Sequence, residues 1–226
     1  GQDYCPCKLI PINNKDDKNV KNLRALGFYL RGISFIIACC MVPLHAQDSS
    51  EGDSPENTEE FIADFKNSSL LVRLQDKSKT IAFLIEKGLN KQAEQLRQEQ
   101  RLQNREILLS FSQTFDFCPV YFFYAKDSEA IRNGDLEQVV FDENLNIITK
   151  NLPKYYTADF AQTPGLGIDG LIIKNQKLLD LDNKLPFFER RYVFFNLKER
   201  SKAEMVEAYN KRLQDYDEFY QSKKKP

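Results

Sequence analysis

The run FDFCPVYFFYA, Phe115 to Ala125, constrains the fold of this chain more than any other stretch. Six of its eleven residues are aromatic and only one is charged, so both of its faces must be covered. It is short for a core helix, and its aromatic and β-branched content favours a strand. The reading is a strand buried on both faces, the central strand of a covered sheet.

The elements around it follow from local signals. Asn57-Thr58 with Glu60 can cap a helix through Phe65, placing Phe61, Ile62 and Phe65 on one face. Ser69 to Leu74 is a short strand or a helical turn, and periodicity does not choose between them. Ser78 to Lys87 has helical spacing, and Gly88 stands where a left-handed residue ends a helix. Asn90 can cap a second helix to about Gln113, giving an αα-hairpin over 78–113. The middle of that second helix, Arg97 to Arg105, is polar and reads as an exposed stretch that meets the core only at its ends. After the aromatic run, Asp127-Ser128 can cap a one-turn helix that ends at Asn133-Gly134. Strands are expected at Glu137–Asp142 and Tyr155–Ala161. A hairpin is expected between Ile168–Lys174 and Lys177–Leu181, and Tyr192–Phe195 is a last apolar piece. Ser201 and Glu204 form a capping box, followed by a stripe of Met205, Tyr209, Leu213, Tyr216 and Tyr220 facing a core. The order implies an α/β or α+β domain with a mixed sheet of about five strands and helices packed on it.

The front of the chain is different in kind. Gly1 to about Asn19 carries no structural pattern and reads as a fragment end, or as translated sequence upstream of a start at Val20 or Leu23. Gly32 to Val42 is a block of eleven apolar or small residues behind Lys21, Arg24 and Arg31. A membrane-spanning helix needs about 20 residues. Extending the block backwards would bury Arg31, at a cost of at least ~2.5 kcal/mol. The block fits the apolar region of a signal peptide over 20–46, with cleavage between Ala46 and Gln47. A rival reading makes Cys39 a lipidation site, although the apolar region before it would be short. Residues 47–60, with six acidic residues and no basic one, form an acidic tether that cannot bury surface. A single globular domain spans 61–221, and 222–226 is a basic tail.

Composition then excludes chemistry. The only histidine is His45, and four of the five cysteines precede residue 47, which leaves Cys118 alone. A Ser-His-Asp triad, a Cys-His pair, a His-ligated metal and an internal disulfide are excluded for the segment 47–226. That segment holds 26 basic and 30 acidic residues, a net charge of −4. Such a surface lacks the basic face that nucleic acid requires. No cofactor is implied, and contact with a membrane would come only through the signal segment or a lipid anchor.

What remains are weak candidates. Cys118 precedes Pro119 but enters an apolar strand without a basic neighbour, so it reads as a structural thiol. Gly165, Gly167 and Gly170 spell G-x-G-x-x-G, but the motif must open a helix, and here LIIK follows as a strand. Asp142, Glu143, Asp159 and Asp169 could serve a carboxylate hydrolase if two of them met within several ångströms. Asp159 is expected to face solvent on an alternating strand. Tyr155-Tyr156 could line a groove, with core use the simpler account.

The segments FDFCPVYFF, VVFDENLN, GIDGLII, LPFFER and AEMVEAYNKRL resemble a family of uncharacterised exported proteins of the Bacteroidota, over roughly Ser69 to Tyr220. The resemblance implies export and carries no activity; the expected location is the periplasm or the exterior, or the membrane as a lipoprotein on the Cys39 reading. The expected function is a non-catalytic binding or structural module of the cell envelope, with an envelope protein or a small ligand as partner. The alternatives are a carboxylate-based hydrolase and a thioredoxin-like protein that has lost its redox pair.

The export reading makes one prediction. N-terminal sequencing of the protein from its native host finds Gln47 first; an acylated Cys39 or an intact 20–47 segment contradicts it.

Overall fold

The computed structural model describes residues 57–163, 167–182, 185–192 and 198–224. The segment read as a signal peptide, with Cys39, Ala46 and Gln47, lies outside the described residues, as do residues 47–56 of the expected acidic tether. Residues Asp53–Pro226 form one compact unit. Its elements are α1 (Thr58–Lys66), β1 (Ser69–Leu74), α2 (Ser78–Glu86), α3 (Asn90–Thr114), β2 (Val120–Tyr124), α4 (Ser128–Asn133), β3 (Tyr155–Gln162), β4 (Asp169–Lys174), β5 (Phe188–Arg190) and α5 (Lys202–Lys223).

The five strands form one mixed sheet in the order β2-β1-β3-β4-β5. β1 runs parallel to β2 and to β3, while β4 is antiparallel to both β3 and β5. The chain moves one way across the sheet from β1 to β2, then back over β1 to β3. Crossovers between parallel strands are right-handed, so these two must lie on opposite faces. The packing agrees. On the first face Leu70, Val72, Leu74, Phe122, Tyr156, Ala158, Leu171 and Ile173 share a core with α1, α3 and α5. On the second, Leu71, Phe123 and Tyr155 pack with Ile131 of α4 and with Val140 and Leu152.

Local chemistry explains the helix ends. The Asn57 side chain accepts the Glu60 amide at 2.9 Å and starts α1. Ser201 and Glu204 complete the capping box of α5. There the Lys198 ammonium and the Ser201 amide and hydroxyl hold the Glu204 carboxyl down to about 2. α2 is followed by Gly88 at φ +73°, and α4 by Gly134 at φ +83°. Asn90 does not cap α3: it lies inside the helix, Leu89 occupies the cap position, and no side chain bonds there. α3 meets the first-face core only through its C-terminal half, by Ile107, Leu108 and Phe111, and the buried Ala93 lies outside that core.

The aromatic run is not the central strand. It enters the sheet only at Val120, and β2 is an edge strand. Its first half is held away from the ladder by α5, whose Asn210 Oδ1 accepts the Asp116 and Phe117 amides at 3.3 and 3.2 Å. Pro119 supplies no amide of its own. Both faces of β2 are nonetheless covered, by Phe122 on one side and Phe123 on the other. Hydrophobicity reported covered faces, not the number of paired neighbours. The outer edge is blunted where Phe141 exchanges two backbone hydrogen bonds with Phe122, at 2.9 and 2.8 Å.

Two further expectations are corrected. Glu137–Asp142 is a turn in which only Phe141 is bridged, to Phe122 and to Ile147, because Gln138 adopts φ +62° and leaves extended geometry. Lys177–Leu181 contributes only the bridge Lys174↔Asp180; the antiparallel partners of β4 are β3 and β5. Close approach at β5 demands glycine at 170, since a β-carbon there would lie 2.3 Å from the Glu189 carbonyl oxygen and 2.4 Å from the Phe188 ring.

Candidate functional site

The four carboxylates singled out in the sequence do not converge. Phe141, Phe122, Val72 and Ala158 form one row across the sheet. Asp142 and Asp159 each follow the end residue of that row, so three strand spacings, about 14 Å, separate them. Asp169 pairs with Gln162, three residues along β3 from Asp159. Asp142 instead organises its own turn, accepting the Asn144 and Asn146 amides at 2.9 and 2.8 Å and the Asn146 side chain at 3.0 Å. Its slight burial would raise its pKa, but the hydrogen bonds from Asn146 and Asn144 outweigh that and lower it. Glu143 is exposed in the same turn. Among the described residues, no three His, Cys, Asp or Glu side chains gather as a metal site.

Asp159 does not face open solvent. It accepts a 2.9 Å hydrogen bond from Arg73 Nη1 on β1, and its side chain is 15% exposed. Two atoms of this second-face seam, Arg73 Nε and Thr157 Oγ1, are buried and have no hydrogen-bond partner among the described residues. The seam ties β1 to β3, and the sequence did not announce it. Arg73 is the one charged residue of SLLVRL, and its partner lies 86 positions away.

Cys118 is a free, buried thiol at the entrance to β2, within the first-face core. Burial pushes it up to about 12, so almost no thiolate exists near neutral pH. A helix, α4, does follow β2 through a short 3-10 turn at Ala125–Asp127, as the thioredoxin-like alternative requires. The thiol, however, precedes β2 and lies at no helix N-terminus. Of the glycine motif, Gly165 lies outside the described residues, and Gly167 to Gly170 lead into strand β4, with no helix to receive a phosphate. Tyr155 and Tyr156 belong to opposite cores. The Tyr155 hydroxyl donates to the Ile131 carbonyl at 2.6 Å, and the Tyr156 hydroxyl donates to Asp64.

The surface feature that needs an explanation is the pair α2–α3. α2 reads SKTIAFLIE, yet only Ile81 is buried. Phe83 is 54% exposed, Ile85 48% and Leu89, in the turn after α2, 41%. The base of the pair is fixed by polar bonds. Asn104 of α3 accepts the Gln75 amide at 2.7 Å and donates to its carbonyl at 2.9 Å, and Gln100 accepts the Lys77 amide at 2.6 Å. The outer half is an arm whose apolar side chains have no core to enter. Phe83 and Ile85 stand two positions apart and leave opposite sides of this short helix, so each offers apolar contact area to a partner separately. Periodicity identified the helix but assumed that its apolar residues were core.

A second polar feature joins α5 to the sheet edge. Glu189 of β5 pairs with both Arg200 and Arg212, and Arg212 also donates to the Phe188 carbonyl at 2.8 Å. The Glu189 side chain is 14% exposed and both of its oxygens are occupied, so it serves as a clasp.

Among the described residues, no helix is long and apolar enough to cross a membrane. In comparison with known proteins, no family model, no curated protein and no solved structure matches this chain.

The thiol geometry yields a prediction. A thiol reagent labels Cys118 slowly in the folded state at neutral pH and fast in denaturant, and Cys118→Ala lowers stability by about 1 kcal/mol through a small cavity. Labelling at the rate of a free thiol without denaturant would refute the burial argument.

Proposed function

We propose that this protein is an exported, non-catalytic binding or structural module of the cell envelope, which docks a protein partner through the α2–α3 arm. The observation that carries this reading is the exposure of Phe83, Ile85 and Leu89 on an arm that contributes little to the core. Covering each half-exposed side chain would contribute about 1 kcal/mol to association. The leader-like segment before Gln47 and the acidic stretch after it support a domain held on a tether, and the resemblance to exported proteins of the Bacteroidota points the same way. The compartment is then the periplasm or the exterior, or the membrane surface if Cys39 is lipidated.

The carboxylates fit this reading as structural groups. Asp159 neutralises Arg73 and Asp142 shapes a turn. Asp159→Asn is expected to cost stability, about 1–3 kcal/mol, because it leaves a partly buried guanidinium without its anion.

The test separates binding from catalysis. In a host deleted for the gene, complementation by Asp142→Asn, Glu143→Gln, Asp159→Asn or Asp169→Asn is retained wherever the variant folds. Phe83→Asp combined with Leu89→Asp loses it at normal protein level. Loss of a measurable turnover in a folded carboxylate variant would falsify the reading and make that residue a general acid or base.

A further inference from the structure

We infer that the partner of α2 is a second copy of this chain, docked helix against antiparallel helix about a two-fold axis that passes between Ala82 and Phe83. This rests on the reading of the arm as a docking surface and goes on to name its occupant.

Residues at i, i+3, i+4 and i+7 share one face of a helix. On α2 that face is Lys79, Ala82, Phe83 and Glu86, and all four are exposed. A two-fold interface must be complementary to itself, because each residue meets a counterpart on the same patch. Antiparallel pairing about the stated axis sets Phe83 against Ala82 of the second copy, and Ala82 against its Phe83. A large ring thus faces a small residue twice. The same operation sets Lys79 against Glu86 of the second copy, and Glu86 against its Lys79. The two ion pairs close the ends of the apolar contact. A parallel arrangement would oppose Lys79 to Lys79 and Glu86 to Glu86, so charge selects the antiparallel one.

Nothing on the arm blocks this contact. The Lys87 ammonium lies 5.4 Å from the centre of the Phe83 ring and 4.0 Å from Glu86, and its side chain is 53% exposed, free to swing aside. Among the described residues, Lys79 enters no ion pair that would have to break first. One short helix on each side makes a small interface, so the dimer is weak and reversible.

Sedimentation equilibrium of the purified protein, from micromolar to millimolar concentration, tests this. The wild type associates to a dimer, and Phe83→Asp remains monomeric. Lys79→Glu and Glu86→Lys each weaken association about tenfold, because the symmetry makes every swap two repulsive contacts. Lys79→Glu with Glu86→Lys in one chain restores it. All the altered side chains are exposed, and far-UV circular dichroism checks their folding; the charge-swap cycle decides the matter even if Phe83→Asp folds poorly. A wild type monomeric at every concentration, or a double swap that fails to restore association, overturns the inference. If the wild type is monomeric while the arm variants still lose complementation, the occupant is another protein and the docking reading survives. If the dimer forms as described while the arm variants complement normally, the second copy is correct and the functional reading of the arm falls.

Discussion

Every residue of strand β1 except Arg73 is buried, and the remaining structure is arranged to keep it so. Leu70, Val72 and Leu74 are buried on one side and Leu71 on the other, and parallel neighbours take the hydrogen bonds of both its edges. Each of those side chains stabilises the fold by about 1.5–3 kcal/mol when covered. Covering both sides at once requires helices on two faces. The crossover through α2 and α3 and the return through α4 supply them, and α1 and α5 complete the first face. A parallel strand also cannot be closed by a tight turn, which is why such long connections separate β1, β2 and β3.

The one charged residue of β1 is Arg73, which is only partly buried and pairs with the more deeply covered Asp159 on β3. This pair, with Thr157, forms the polar part of the second face, beside the apolar part that packs with Ile131 of α4. The polar seam and the helical cover therefore divide that face between them. The arm is the complementary case, since α2 is apolar by composition yet lies beyond the reach of either core.

How much of this was legible follows from the range of each interaction. The Asn57 cap of α1, the capping box of α5, the glycine helix ends and the α5 stripe depend on residues within a few positions of one another, and they were readable from the chain. The mixed five-stranded sheet with packed helices was readable from element order. Strand order was not. The aromatic run looked central because its faces are covered, whereas the central strand is β3, whose sequence YYTADFAQ includes a charged residue. The detachment of Phe115–Pro119 depends on Asn210, and the tolerance of Asp159 depends on Arg73; neither partner is close in sequence. Of the candidate site, the dispersal of the carboxylates was consistent with their spacing. The arm went unrecognised because an amphipathic helix pattern does not say whether its apolar face meets a core or water.

The sheet with its two cores is the cooperative unit, and the arm stands outside it. Native-state hydrogen exchange on dilute protein tests this most directly. Amides of Leu71 to Leu74 and of Tyr156 to Asp159 should exchange only through global unfolding, while those of Ala82 to Glu86 open locally and exchange faster by orders of magnitude. Protection of α2 equal to that of β1 in the dilute protein would contradict the account, because it would make the arm part of the core.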